Sequence, residues 1–166
     1  MKTYVLTVSR TFPTTHARAG EPTHFLEKII SAIGGYENQL GKATGANKIS
    51  PKIHTIRANY NLWKKRMDDV QAGKAVISLR YWSEKPYNSK QIEFARLDKD
   101  SGCGVQEIYF KYECVLYPRV SIDKPVLNLE LLAQNDGLSK EDFKEWFKSY
   151  DLSKPMAIIH FTKFRY

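Results

Sequence analysis

A chain of 166 residues is the length of one domain, long enough to bury roughly 70% of its unfolded surface without staples, and the length argues against two independent cores. Its 42% hydrophobic and 13% aromatic content excludes a disordered chain. The 26 Lys+Arg outnumber the 18 Asp+Glu, for a formal charge of +8, a field that gathers phosphates and other anions but also serves as a common solubility device. No run approaches the roughly eighteen apolar residues of a membrane span, and the first residues lack the apolar core of a secretion signal, so the expected location is the cytoplasm.

In chain order, residues 3 to 9 alternate Tyr4, Leu6 and Val8 against Thr3, Thr7 and Ser9, which predicts a first strand broken at Phe12-Pro13. Thr23 is placed to cap a helix carrying Phe25, Leu26, Ile29, Ile30 and Ile33 at helical spacing, stopped by Gly34-Gly35. Residues 36 to 51 carry little apolar material and predict a surface loop. A short β-branched stretch, 52 to 57, precedes a helix whose apolar face is Leu62, Trp63, Met67 and Val70 and whose terminator is Gly73.

Residues 75 to 82 and 90 to 97 predict strands around a loop at 86 to 89, and Asp100-Ser101-Gly102 marks a turn. The aromatic run from 105 to 117 predicts one long strand ended by Pro118. Residues 126 to 133 fit a strand or a short helix. Asn135-Asp136-Gly137 is a sharp turn, and Ser139 with Asp142 caps a helix bearing Phe143, Trp146, Phe147 and Tyr150. After Pro155, residues 156 to 164 form a last strand. With no internal repeat or linker, the sum is an α+β domain over residues 1 to 166, a small barrel with about three peripheral helices.

Charge is unevenly spread. Between Glu37 and Asp68 there is no acidic residue, yet Lys42, Lys48, Lys52, Arg57, Lys64, Lys65 and Arg66 fall there, with Tyr60 and Trp63 among them. Cations alternating with aromatic platforms suit a single-stranded nucleic acid, whose phosphates they neutralise and whose bases they stack. Read plainly, the same stretch is a solvated helix face with Trp63 in the core. A second aromatic-basic stretch holds Arg80, Tyr81, Trp82, Lys85, Tyr87 and Lys90, and strand alternation sets Arg80 and Trp82 opposite Leu79 and Tyr81. Arg57, Lys64, Lys65, Arg66, Arg80, Trp82 and Tyr87 are thus candidate ligand contacts.

Lys52-Ile53-His54-Thr55-Ile56-Arg57 resembles the K-x-x-T-I-R signature of ASCH domains, a branch of the PUA-like barrel superfamily. The passage from Asp69 to Leu79, a helix ending near a Gly and leading into a strand, is also similar to that family. Asp136-Gly137-Leu138-Ser139, followed by a helix with Phe143, resembles its acidic turn-helix element before the final strand. The resemblance covers most of residues 1 to 9 and 49 to 166 and leaves 12 to 48 as an insertion. It implies a barrel whose relatives bind RNA or modified bases in a cleft, here lined by Lys52, Thr55, Arg57 and Asp136.

It also implies a second function, since one small ASCH group hydrolyses N4-acetylcytidine with a Lys, a Thr three residues later and a Glu from the acidic turn. The corresponding residues are Lys52, Thr55 and Asp136, the last one methylene shorter than Glu. Thr55 would be nucleophile, Lys52 its base, and Asp136 the orienting carboxylate. That chemistry requires a backbone bend that brings Lys52 and Thr55 to one side, and a Lys52 pKa about three units below normal. A third function is a protein-interaction module using the 12 to 48 insertion.

His16, His24, His54 and His160 show no metal-ligand spacing, and no nucleotide-binding loop or serine elbow is present, so neither metal nor cofactor is expected. Cys103 and Cys114 have no C-x-x-C arrangement; a hairpin disulfide is one reading, and a reducing compartment the simpler one.

Overall fold

The computed structural model describes residues 1–34, 50–112, 116–121 and 124–166. Lys42, Lys48, Cys114 and nearly all of the expected loop at 36 to 51 lie outside the described residues. Among the described residues, seven strands and four helices follow one another as β1 (Lys2–Thr7), α1 (Phe25–Ala32), β2 (His54–Arg57), α2 (Tyr60–Gln71), β3 (Ala75–Trp82), β4 (Gln91–Leu97), β5 (Gly104–Tyr112), β6 (Leu116–Arg119), α3 (Leu129–Asn135), α4 (Lys140–Phe147) and β7 (Met156–His160). The class is α+β.

Two sheets form. One has the order β1-β3-β4, with β1 and β3 parallel and β3 and β4 antiparallel; the other, β2-β7-β5-β6, is antiparallel throughout. No ladder joins the two sheets among the described residues, so the strands do not close into a barrel by hydrogen bonding. Both β1 and β2 are edges, and the Arg57 side chain reaches from the second sheet to the first, donating from Nη2 to the Thr7 carbonyl at 2.8 Å.

The strand β7 is buried along its whole length, and its alternation feeds two cores. Ala157 and Ile159 join Leu6, Val8, Ile77, Leu79, Trp63 and Met67 in the first. Met156 and Ile158 join Ile56, Ile108, Phe110, Leu132, Phe143 and Phe147 in the second, under α3 and α4.

Local signals explain most helix ends. The Asn59 side chain accepts from Leu62 N, Asn128 from Leu131 N, and Ser139 from Asp142 N. The ambiguous stretch at 126 to 133 therefore resolves into helix α3 from Leu129, which makes four helices among the described residues where about three were expected. Thr23 is not the N-cap of α1; that position falls to His24 at φ 56°, while Thr23 Oγ1 donates to Ser9 O and accepts from Phe25 N. Trp63 is core, as its place beside Met67 and Val70 predicts, but Leu62 lies outside that stripe and is 41% exposed.

The long strand expected at 105 to 117 is instead two antiparallel strands, β5 and β6, with Phe110 opposite Pro118. Pro118 sits inside β6 rather than ending a strand. An edge strand tolerates it because one side of the backbone needs no N–H donor. Cys103 is a buried free thiol beside Met67. Among the described residues no helix is long and apolar enough to cross a membrane.

The described part of the 12 to 48 insertion divides its apolar residues between the chain's own two cores, with Ile29 in the first and Phe12 and Phe25 in the second. Phe12, His16 and Phe25 surround Trp146 of α4, with ring centroids 5.8, 6.1 and 5.6 Å from the indole. Arg18 then ties this segment down through Asp142 and Glu21, at 2.7 Å each, and His16 Nε2 lies 3.1 Å from the Asp142 carbonyl.

Candidate functional site

Two segments far apart in sequence meet at the C-terminal end of α3. That helix closes in a Schellman arrangement: Leu138 N donates to Ala133 O, Gly137 N donates to Gln134 O, and Gly137 takes φ 78°. The stretch leading into β2 lies against this corner, with Lys52 N donating to Lys28 O and Ile53 N donating to Asn135 O. A Cβ on Gly137 would stand 3.1 Å from Lys52 Cβ, so glycine serves both the left-handed turn and the lysine stem packed on it.

The Lys52 amine donates to both the carbonyl and Oδ1 of Asp136, the latter at 2.7 Å, and lies 4.2 Å from the Phe25 ring centroid. Lys28 donates to Gly137 O at 2.7 Å. Two ammonium groups thus meet the carbonyls at the negative end of α3, whose own last turn has no basic residue.

Burial dominates the electrostatics. It pulls the Lys52 amine down to about 8, against the opposing pull of Asp136. Burial alone would push Asp136 up, but Lys52 and His54 together hold it below the ordinary carboxylate value. The pair is only 1% and 6% exposed at its side chains, so it is a buried ion pair rather than the lining of an open cleft.

The network continues inward. Asn135 Nδ2 donates to Tyr166 Oη at 2.9 Å, and Tyr166 Oη lies 2.7 Å from His54 Nε2. The other ring nitrogen, His54 Nδ1, lies 3.5 Å from Asp136 Oδ1 and makes no hydrogen bond among the described residues. Burial lowers His54, raises Tyr166, and drives neighbouring His160 down to about 2; among the described residues neither ring nitrogen of His160 has a hydrogen-bond partner.

The remaining candidates divide. Thr55 is buried and pairs with Ile159 on the side of the first core, whereas Lys52 contacts Phe25 of the second; the Thr55 hydroxyl is not among the partners of the Lys52 amine. Arg57 is held by the Thr7 and Ile56 carbonyls; among the described residues it makes no ion pair, though the Asp136 charge acts on it from a distance. On α2, Lys64 pairs with Asp68 and Lys65 is exposed, while Arg66 covers the Trp63 and Tyr4 rings. None of the three touches Lys52 or Asp136. Arg80 bonds Ser78 Oγ at 2.8 Å, and Trp82 packs on Tyr87, ring centroids 5.5 Å apart.

Beside the corner opens a pocket of about 320 Å³, lined among others by Arg18, His24, Lys28, Ser50, Gly137 and Asp142. Among the described residues Lys28 makes no ion pair, and burial lowers its pKa. Sequence reasoning missed Lys28, Asn135 and Tyr166 and considered His54 only for metal-ligand spacing, which it lacks. For His54 a signal existed, because alternation from Lys52 sets it on the same side; Tyr166 gave none. No three His, Cys, Asp or Glu side chains among the described residues are placed to hold a metal ion.

Comparison of this chain with protein-family models, curated proteins and solved structures found no match in any of the three.

Proposed function

We propose that this is a PUA-like domain of the ASCH type, cytoplasmic, that binds RNA or a modified nucleotide beside the Lys52–Asp136 corner. The observation that carries the reading is the 2.7 Å contact between Lys52 Nζ and Asp136 Oδ1, which joins the two segments on which the family resemblance rests. The adjoining pocket supports it: at about 320 Å³ it falls within the range of small-ligand sites, and Lys28 at its wall offers an ammonium bonded to the Gly137 carbonyl. The net charge of +8 supplies the attraction for a polyanion. Single-stranded RNA affinity is expected to fall about tenfold or more between roughly 50 and 200 mM salt, because displaced counterions drive the association. A filter-binding or anisotropy titration with a flat salt response, or with no binding at all, removes this reading.

A second reading, hydrolysis of an N-acylated pyrimidine nucleoside, draws on the Lys52 amine, whose pKa near 8 leaves a usable neutral fraction at neutral pH. Its weak point is Thr55, which lacks contact with that amine, so a nucleophilic role would need the segment to rearrange on binding. Turnover of N4-acetylcytidine by the intact protein, lost in Lys52→Ala, is the outcome this reading requires; an intact protein without turnover rejects that substrate.

A further inference from the structure

The pocket beside the corner has a neighbour. A second cavity, of about 290 Å³, is lined among others by Arg10, Phe25, Glu27 and Tyr81. Pro22 and His24 line both cavities, so the two open on either side of one ridge. His24 stands on that ridge at φ 56°, a conformation that few residues other than glycine hold without strain, and its imidazole does not cap α1. Backbone strain of this kind gathers at ligand sites, where the surrounding structure holds it in place.

The two cavities differ in chemistry. In the second, the Arg10 guanidinium lies over the Tyr81 ring, 5.4 Å from its centroid, and donates to the Ser83 carbonyl at 3.2 Å; among the described residues it makes no ion pair. Guanidinium planes and phenol rings both stack on flat heterocycles. In the first, Arg18 engages Asp142 at 2.7 Å, and the Lys28 ammonium, resting on the Gly137 carbonyl, is left to meet an incoming anion. A ligand that answers both cavities has a planar ring at one end and an anionic group at the other.

We infer that the paired cavities bind a nucleoside monophosphate, with the base against Arg10 and Tyr81, the sugar across the Pro22–His24 ridge and the phosphate on Lys28. The inference rests on the nucleotide reading above and narrows it to a single phosphorylated unit. The Glu27 carboxylate in the base cavity only accepts hydrogen bonds, so it favours guanine, whose ring N–H and amine are adjacent donors, over uracil. Residues 10 to 28 supply much of both linings, so this site belongs to the segment that the ASCH resemblance leaves out.

Calorimetric titration of the intact protein with GMP, guanosine, UMP and inorganic phosphate reads both halves of the site. GMP should bind about tenfold or more tightly than each of the other three. Arg10 is exposed, so Arg10→Gln folds, and it should weaken GMP and guanosine alike by about tenfold. Lys28→Gln keeps a donor for the Gly137 carbonyl and should bring GMP down to the level of guanosine. Equal affinity for GMP and guanosine removes the phosphate contact; phosphate or UMP bound as tightly as GMP, or unchanged GMP binding in Arg10→Gln, removes the base contact. Each of these results overturns the inference. Absence of GMP binding beside salt-dependent RNA binding overturns it while the nucleic-acid reading stands, and absence of both overturns both.

Discussion

Asp136→Ala is expected to destabilise the protein by about 3–5 kcal/mol at neutral pH, the largest effect of any single change at the site. The carboxylate offsets the desolvation of a lysine that is only 1% exposed, and alanine leaves that ammonium with one carbonyl and the Phe25 ring. With the carboxylate gone, the Lys52 pKa falls below its present value near 8, and the variant escapes part of the cost by shedding the proton. The deficit should therefore narrow by about 1 kcal/mol between pH 7 and pH 10, where the amine is neutral in both folded proteins. Replacing both partners with apolar residues should recover much of the loss, since two hydrophobic side chains carry no desolvation penalty. Urea unfolding followed by tryptophan fluorescence measures all three. A deficit under 1 kcal/mol for Asp136→Ala would mean that the pair contributes little to the fold.

Stability should also fall on acidification from about pH 6.5, well above the range where carboxylates titrate. His160 has a folded pKa near 2 and an ordinary unfolded value, so its contribution is complete above pH 6.5 and is lost as pH falls and the unfolded chain takes up the proton. His54 is lowered too and acts in the same direction, and Asp136, held below its normal value, adds to the loss further down. His160→Phe should therefore reduce the slope between pH 4 and pH 6 by up to about 1.4 kcal/mol per pH unit. At pH 7 the variant should keep or exceed the original stability, because neither imidazole nitrogen has a partner to lose among the described residues. Thermal melts across this range read the difference, and an unchanged slope in His160→Phe would place the acid sensitivity elsewhere.

The parts of the fold legible beforehand were those written in a few consecutive residues. Ser139 with Asp142, the Asn-Asp-Gly corner and the alternation of β3 each rest on local chemistry that the rest of the chain does not overrule. Asn128 carried the same kind of signal, but the apolar run after it fits either periodicity, and only packing against Phe143 and Ile158 selects the helix. The division of residues 105 to 117 was hidden because aromatic and β-branched residues continue across it.

At the site, the resemblance placed Lys52 and Asp136 in related segments, and they do meet. Their burial was not legible, because it depends on Phe25 and Lys28 arriving from a segment without a counterpart in that resemblance. Nor was the role of Tyr166, which comes from the far end of the chain to accept from Asn135.

The arrangement at the end of α3 has a consequence for how the chain folds. Seven residues are too few to hold a helix alone in water. The cations that meet its terminal carbonyls come from positions 28 and 52, across a large loop whose closure has to be met first. This helix is therefore a late arrival on the folding route, consolidated only when the first third of the chain docks onto it.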